Sequence, residues 1–142
     1  MPYEESLTRR VDGSSTTLPA EESTTDSSIE EDSPSPAEST PYNLGTHFIW
    51  IGERTSNLEE AHVEFFRGIA NPIGLKVGPR RTPEEIVKSC RILNPNNAMG
   101  KLVLILRMGE KLSDSLPSVL DHIKSEGINA VFVIDPMHAN TF

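Results

Sequence analysis

Four short apolar runs recur at nearly constant intervals, and that interval limits the fold more than any other feature. The runs are His47–Ile51, Ile73–Val77, Leu102–Leu106 and Ala130–Ile134, and their central residues Ile49, Leu75, Leu104 and Val133 lie 26, 29 and 29 positions apart. Rich in Val, Ile and Phe and apolar on both faces, they suit strands buried on both sides. An interval of this size holds one strand, one helix and two short loops, which predicts a parallel sheet with right-handed crossovers. The fold class is α/β. A closed barrel of such units needs eight of them and roughly 200 residues or more. This chain of 142 residues supplies four, so half a barrel or a small open sheet is expected.

Helical patterns fill the gaps between the runs. Leu58–Arg67 places Leu58, Ala61, Val63, Phe65 and Phe66 beneath polar positions, and Gly68 can stop it. Thr82, Pro83 and Glu85 read as N-cap, proline at the first helical position and capping-box glutamate. Ile86, Val87, Cys90 and Leu93 then form an apolar face that ends before Pro95. Leu116–Glu126 carries Val119, Leu120 and Ile123 on one side, with Gly127 as terminator.

The front of the chain differs in kind. Between Gly13 and Thr40, 13 of 28 residues are Ser or Thr, and Leu18 and Ile29 are the sole large apolar side chains. Such a stretch cannot bury enough surface to offset its conformational entropy, so residues 13–43 are expected to be a disordered Ser/Thr/Glu/Pro-rich insertion. Ser33 and Ser35, each followed by proline, would accept phosphate in a regulatory tail; a solvated insertion without a role is the simpler reading. The net charge of −8 resides here too: residues 1–43 hold 10 acidic and 2 basic side chains, and residues 44–142 hold 11 of each. No basic excess argues for nucleic-acid binding. The apolar runs fall far short of the ~20 residues that cross a bilayer. Neither a signal peptide nor a transit peptide is legible at the start, so a cytoplasmic protein is expected. The lone Cys90 fits a reducing compartment.

In parallel α/β folds the working surface lies at the carboxyl ends of the strands. The first run ends in Gly52-Glu53-Arg54-Thr55, the second contains Lys76 and leads into Gly78-Pro79, the third ends in Arg107-Met108-Gly109, and the fourth in Asp135-Pro136-Met137-His138. Arg54, Lys76 and Arg107 on successive strands, without matching acids, suggest a site for phosphate or carboxylate. The competing reading is that each cation merely pairs with Glu53, Asp135 or a helix carboxylate. Lys76 carries the most weight, because it interrupts a buried strand and needs a partner there. His138 stands where an imidazole could ligate a metal. His62 and His122 read as surface or packing residues on helices, His47 stays undecided, and Cys90 reads as a small core residue.

These same residues carry a resemblance. Trp50-Ile-Gly-Glu-Arg-Thr55, Ala61-His-Val-Glu-Phe65, Arg67-Gly-Ile69, Asn71-Pro-Ile-Gly74, Lys76-Val-Gly-Pro79, Leu93-Asn-Pro95, Arg107-Met-Gly109 and Asp135-Pro-Met-His138 resemble class II, plant-type 3-deoxy-D-arabino-heptulosonate 7-phosphate (DAHP) synthase. The match runs from about Thr46 to Thr141, and residues 1–12, through Pro2-Tyr-Glu-Glu5 and Leu7-Thr-Arg9, resemble the segment before it. The resemblance implies a (β/α)8 barrel, of which residues 44–142 would be the central part, the third to sixth strands. It implies a transferase that condenses phosphoenolpyruvate with erythrose 4-phosphate and water, giving DAHP and phosphate, the first step of the shikimate pathway. It further implies a divalent metal, Mn²⁺, Co²⁺ or Zn²⁺. By the resemblance, Glu53 (through its backbone), Arg54, Lys76 and Arg107 hold phosphoenolpyruvate, and His138 is a metal ligand.

The departures are as informative. The family's metal site also uses a Cys, a Glu and an Asp that this chain does not contain, and another phosphoenolpyruvate-binding Arg is absent. Cys90 does not match the metal cysteine. Ala139 stands where the family usually has Gly, a change expected to be mild. The chain is expected to be a truncated form of the synthase, with a catalytically inactive remnant or interaction fragment as the alternative. Homo-oligomerisation is left open.

Overall fold

The computed structural model describes residues 8–10 and 41–139. Among them, β1 (Thr8–Arg10) and β2 (Pro41–Asn43) form a two-stranded antiparallel ribbon. A second sheet contains β3 (Ile49–Ile51), β4 (Ile73–Val77), β5 (Leu102–Leu106) and β6 (Val131–Ile134), all parallel and in the order β3-β4-β5-β6. Helices α1 (Ala61–Arg67), α2 (Pro83–Leu93) and α3 (Leu112–Ser125) each bridge one strand to the next. The α/β class and the parallel sheet expected from the spacing are therefore present. No helix among the described residues is long and apolar enough to cross a membrane.

One face of the sheet holds the core. Ile51, Ile73, Leu75, Val77, Leu102, Leu104 and Leu106 point to it and are completely buried. Above them lie Val63 and Phe66 of α1, Ile86, Val87, Cys90 and Leu93 of α2, and Val119 and Ile123 of α3. Each buried aliphatic side chain contributes about 1.5–3 kcal/mol relative to exposure. Sequential parallel strands joined by crossovers of one hand place every helix on the same side. The expectation that the strands are buried on both faces is corrected by that arithmetic. The opposite face carries Trp50, Gly74, Lys76, Val103, Ile105, Val131 and Val133, and there Trp50, Val131 and Val133 stay about half exposed. Only part of it is roofed: a Cβ on Gly74 would collide with the Phe48 ring, so Phe48 lies over that glycine.

Element boundaries moved where local hydrogen bonding decided them. The first strand starts at Ile49 rather than His47, because the Thr46 hydroxyl takes both the Phe48 carbonyl and the Phe48 amide. Helix α1 starts at Ala61 rather than Leu58, after a turn in which the Glu60 amide donates to the Asn57 carbonyl. Helix α3 starts at Leu112, ahead of Pro117, because a 3-10 turn over Gly109–Lys111 leads into it. Leu120, expected on the buried side of α3, is 38% exposed; Val119 and Ile123 carry that contact. Residues 41–43, expected within the disordered stretch, are strand β2, and the remainder of that stretch, residues 13–40, lies outside the described residues. Helix α2 begins as read: the Thr82 hydroxyl accepts from the Glu85 amide while the Glu85 carboxylate accepts from the Thr82 amide.

The ribbon docks at the amino end of the sheet. The Ala70 amide donates to the Pro41 carbonyl, and the Asn71 amide group exchanges hydrogen bonds with the Asn43 backbone. Lys101 caps the same end, donating to the Ile69 and Asn71 carbonyls. The carboxyl end of the sheet is left free of these elements.

Candidate functional site

Parallel register brings four strand ends to one rim. The Arg107 amide donates to the Val77 carbonyl and the Asp135 amide to the Leu106 carbonyl, so the chain leaves β4, β5 and β6 side by side. An open cleft of about 1120 Å³ lies across this rim. Glu53, Arg54, Lys76, Arg107 and His138, the five residues singled out by sequence, all line it.

Their individual surroundings differ. Glu53 and Arg107 form an ion pair with both side chains about four-fifths buried. The expectation that the three cations lack matching acids is thus corrected for Arg107. Gly78 makes that pair possible, since a Cβ there would overlap the Glu53 carboxylate. The Lys76 ammonium sits 5.5 Å from the centroid of the Trp50 ring. An aromatic face stabilises a cation, so Lys76 has the partner that its place in the strand calls for. Arg54, in the 3-10 turn Glu53–Thr55, has no ion-pair partner among the described residues.

At the end of β6 the Asp135 carboxylate accepts from the Met137 and His138 amides and meets the His138 Nδ1 at 2.5 Å. Those hydrogen bonds, led by the His138 amide, hold Asp135 below the usual carboxylate range. A carboxylate on Nδ1 fixes the imidazole and leaves Nε2 available as a ligand. Among the described residues, however, no three His, Cys, Asp or Glu side chains come together to hold a metal ion. The donor set of the described residues does not by itself fit a metal site.

Three further cations line the cleft that the sequence reading passed over: Arg80, Arg81 and Lys88. Their signal was present, since Arg80 and Arg81 follow Gly78-Pro79 at the end of a strand. Of the histidines set aside, His122 faces Glu84 at 3.2 Å on the surface of the helix layer, consistent with a packing role. The strongest pKa displacements lie outside the cleft. Burial pushes the Cys90 thiol up to about 12, which makes it an inert core group, and lowers the Lys101 ammonium to about 8.

Comparison with known proteins adds to this geometry. The model of the class-II DAHP synthetase family matches residues 1–142. A phospho-2-dehydro-3-deoxyheptonate aldolase of Neurospora crassa is 40% identical over 144 residues, covering 99% of this chain and 28% of that protein. Phospho-2-dehydro-3-deoxyheptonate aldolase AroG of Mycolicibacterium smegmatis is 46% identical over 101 residues, 70% of this chain and 22% of that protein. A Catharanthus roseus protein named "Probable phospho-2-dehydro-3-deoxyheptonate aldolase, chloroplastic" is 45% identical over 101 residues, 70% of this chain and 20% of its own length. The chain thus spans less than a third of the relatives it matches. With a family model covering every residue, and with the strand-end motifs gathered on one rim, this chain belongs to the class-II DAHP synthetase family.

Proposed function

We propose that this chain carries the phosphoenolpyruvate-binding part of a 3-deoxy-7-phosphoheptulonate synthase, a transferase, built on the central strands, third to sixth, of a (β/α)8 barrel. In the reaction the enol carbon of phosphoenolpyruvate bonds to the aldehyde carbon of erythrose 4-phosphate, water adds, and inorganic phosphate leaves. One observation supports the reading above the others: Arg54, Lys76 and Arg107, from three successive strands, open into one cleft. Arg54 and Arg107 offer planar forks to phosphate or carboxylate oxygens, and Lys76 a point charge. Holding both anionic ends of phosphoenolpyruvate orients its enol carbon toward the open side of the cleft. Positioning and charge stabilisation of this kind supply much of the barrier reduction in such condensations. The Glu53 carboxylate secures the Arg107 guanidinium, and by the resemblance its backbone would meet the same ligand. His138, oriented by Asp135, would supply one ligand to a divalent metal, Mn²⁺, Co²⁺ or Zn²⁺.

Calorimetric titration of phosphoenolpyruvate into the 142-residue chain tests the assignment. Binding is expected, with at least a tenfold loss in Lys76→Met and in Arg107→Ala. Undiminished binding in either variant would remove that residue from the site. The neutralisation of Arg107 by Glu53 favours a second reading, in which the chain binds phosphate ligands without turnover. Binding of phosphoenolpyruvate with no phosphate released on adding erythrose 4-phosphate and Mn²⁺ would select it.

A further inference from the structure

Lys101 stands immediately before β5, at the end of the sheet opposite the cleft. Its Nζ donates to the Ile69 carbonyl at 2.5 Å and to the Asn71 carbonyl at 2.6 Å. Two acceptors match the two N–H groups of a neutral amine, and the third N–H of an ammonium finds none among the described residues. A half-buried ammonium ordinarily has a carboxylate beside it. Lys101 has no ion-pair partner among the described residues. The two segments hydrogen-bonded to it, residues 68–74 and 94–100, contain no titratable side chain. The ribbon docked on the first of them adds Tyr42, and the loop after β2 adds His47.

These surroundings disfavour the charged form. Burial, with no charged neighbour to offset it, lowers the Lys101 ammonium to about 8. Lys88, Lys111 and Lys124 are exposed, and Lys76 rests on the Trp50 ring. Lys101 alone among the five lysines is held by backbone carbonyls. An amine that donates both N–H groups to fixed carbonyls keeps its lone pair turned away from them, and the Lys101 side chain stays partly open to solvent. A desolvated, uncharged amine is the state in which lysine acts as a nucleophile.

We propose that Lys101 is a modification site that takes an acyl group from an activated donor, a thioester or an acyl phosphate. The amine lone pair attacks the acyl carbon and a C–N bond forms. The C–S or C–O bond to the leaving group breaks, the leaving group keeps that electron pair, and the surplus amine proton passes to water. The product amide has one N–H in place of two, so either the Ile69 or the Asn71 carbonyl loses its donor. Between those carbonyls the Ala70 amide holds Pro41, and the Asn71 side chain holds the Asn43 backbone. Acylation therefore loosens the seat of the β1–β2 ribbon. The inference stands apart from the cleft and from what the cleft binds.

Competitive labelling tests this on the unaltered 142-residue chain. A trace of acetic anhydride is applied at intervals from about pH 7 to 10, the remaining amines are blocked with the deuterated reagent, and peptide masses give a relative rate for each lysine. Near pH 8, Lys101 should acetylate about tenfold faster than Lys88, Lys111 and Lys124. Its rate should level off above that pH while theirs keep rising, and strong denaturant should erase its advantage. A Lys101 rate no greater than theirs, or one that climbs in step with theirs, would overturn the site. Acetyl phosphate and acetyl-coenzyme A, supplied separately near pH 8, identify the donor. Labelling of Lys101 ahead of the other lysines by either one supports the proposal and names the class, and selective labelling by neither overturns it. In the chain acetylated at Lys101, hydrogen exchange at the Ala70 amide should speed up at least tenfold while the Ile105 amide is unchanged. Equal protection of Ala70 before and after acetylation would sever the link to the ribbon.

Discussion

Ala139 holds a left-handed backbone, with φ of 66°, directly after His138. An L-residue in that region brings its Cβ against the following carbonyl at roughly 1–2 kcal/mol. A glycine at this place, as the resemblance leads one to expect, would have a conformational reason, and alanine is a less mild change than its size suggested. Ala139→Gly should raise stability by about 1 kcal/mol, read as an increase in the denaturant midpoint. Gly78 answers to a different constraint, since it is not conformation but the Glu53 carboxylate that excludes a methyl group there. Gly78→Ala should cost about 1–3 kcal/mol by overpacking against the Glu53–Arg107 pair. Adding Glu53→Ala in the same chain should recover part of that loss in a chemical denaturation series, because the overlap disappears with the carboxylate.

At the scale of elements, the helix layer is tied together by groups that respond to acid. Glu84 is held below its ordinary value of about 4.5 by its own backbone amide and by the Thr82 hydroxyl, with His122 of α3 adding to the effect. A carboxylate depressed in the folded state contributes stability above its unfolded value and forfeits it as pH falls through the folded one. The melting temperature should therefore hold steady from neutral pH to about 5 and drop below it, and Glu84→Gln should flatten the drop. Differential scanning calorimetry across that range measures both. Much of this layer was legible beforehand, and for a physical reason. Strands β4 and β5 match their apolar runs residue for residue because nothing local competes with the ladder at Ile73–Val77 or Leu102–Leu106. The capping box at Thr82 was readable because Pro83 and Glu85 leave it few alternatives. The start of α3 was hidden by Pro117, which marks a first turn in most helices but falls inside this one. In the cleft, residue type and strand position sufficed to collect five side chains. Pairing of a rim cation with Glu53 was the competing reading and holds for Arg107; which cation takes Glu53 was not legible, because it depends on how closely Gly78 lets two strand ends approach.

For the whole molecule, the distribution of apolar surface decides behaviour in solution. One face of the sheet is covered by helices except at Ile134 of β6, which is 49% exposed, and on the other Trp50, Val131 and Val133 remain 54%, 49% and 44% exposed. The outer edges of β3 and β6 are unpaired among the described residues. Exposed apolar faces beside open edges promote association. Val131→Thr/Val133→Thr keeps the β-branched shape on the open face and removes its hydrophobicity. Sedimentation velocity of the double variant should show less self-association than the parent at the same concentration. An unchanged distribution would place the association, if any, elsewhere on the molecule.

The β1–β2 ribbon brings Arg10 into register with Pro41 and thereby fixes both mouths of the 30-residue stretch between them. Those mouths open at the amino end of the sheet, opposite the cleft. Closing a flexible loop grows costlier only with the logarithm of its length, about 0.6 kcal/mol per doubling. Doubling the number of residues between Arg10 and Pro41 would therefore raise the closure cost of the ribbon by about that amount. The ribbon thus holds its two ends against the Ala70–Asn71 turn whatever the number of residues that joins them.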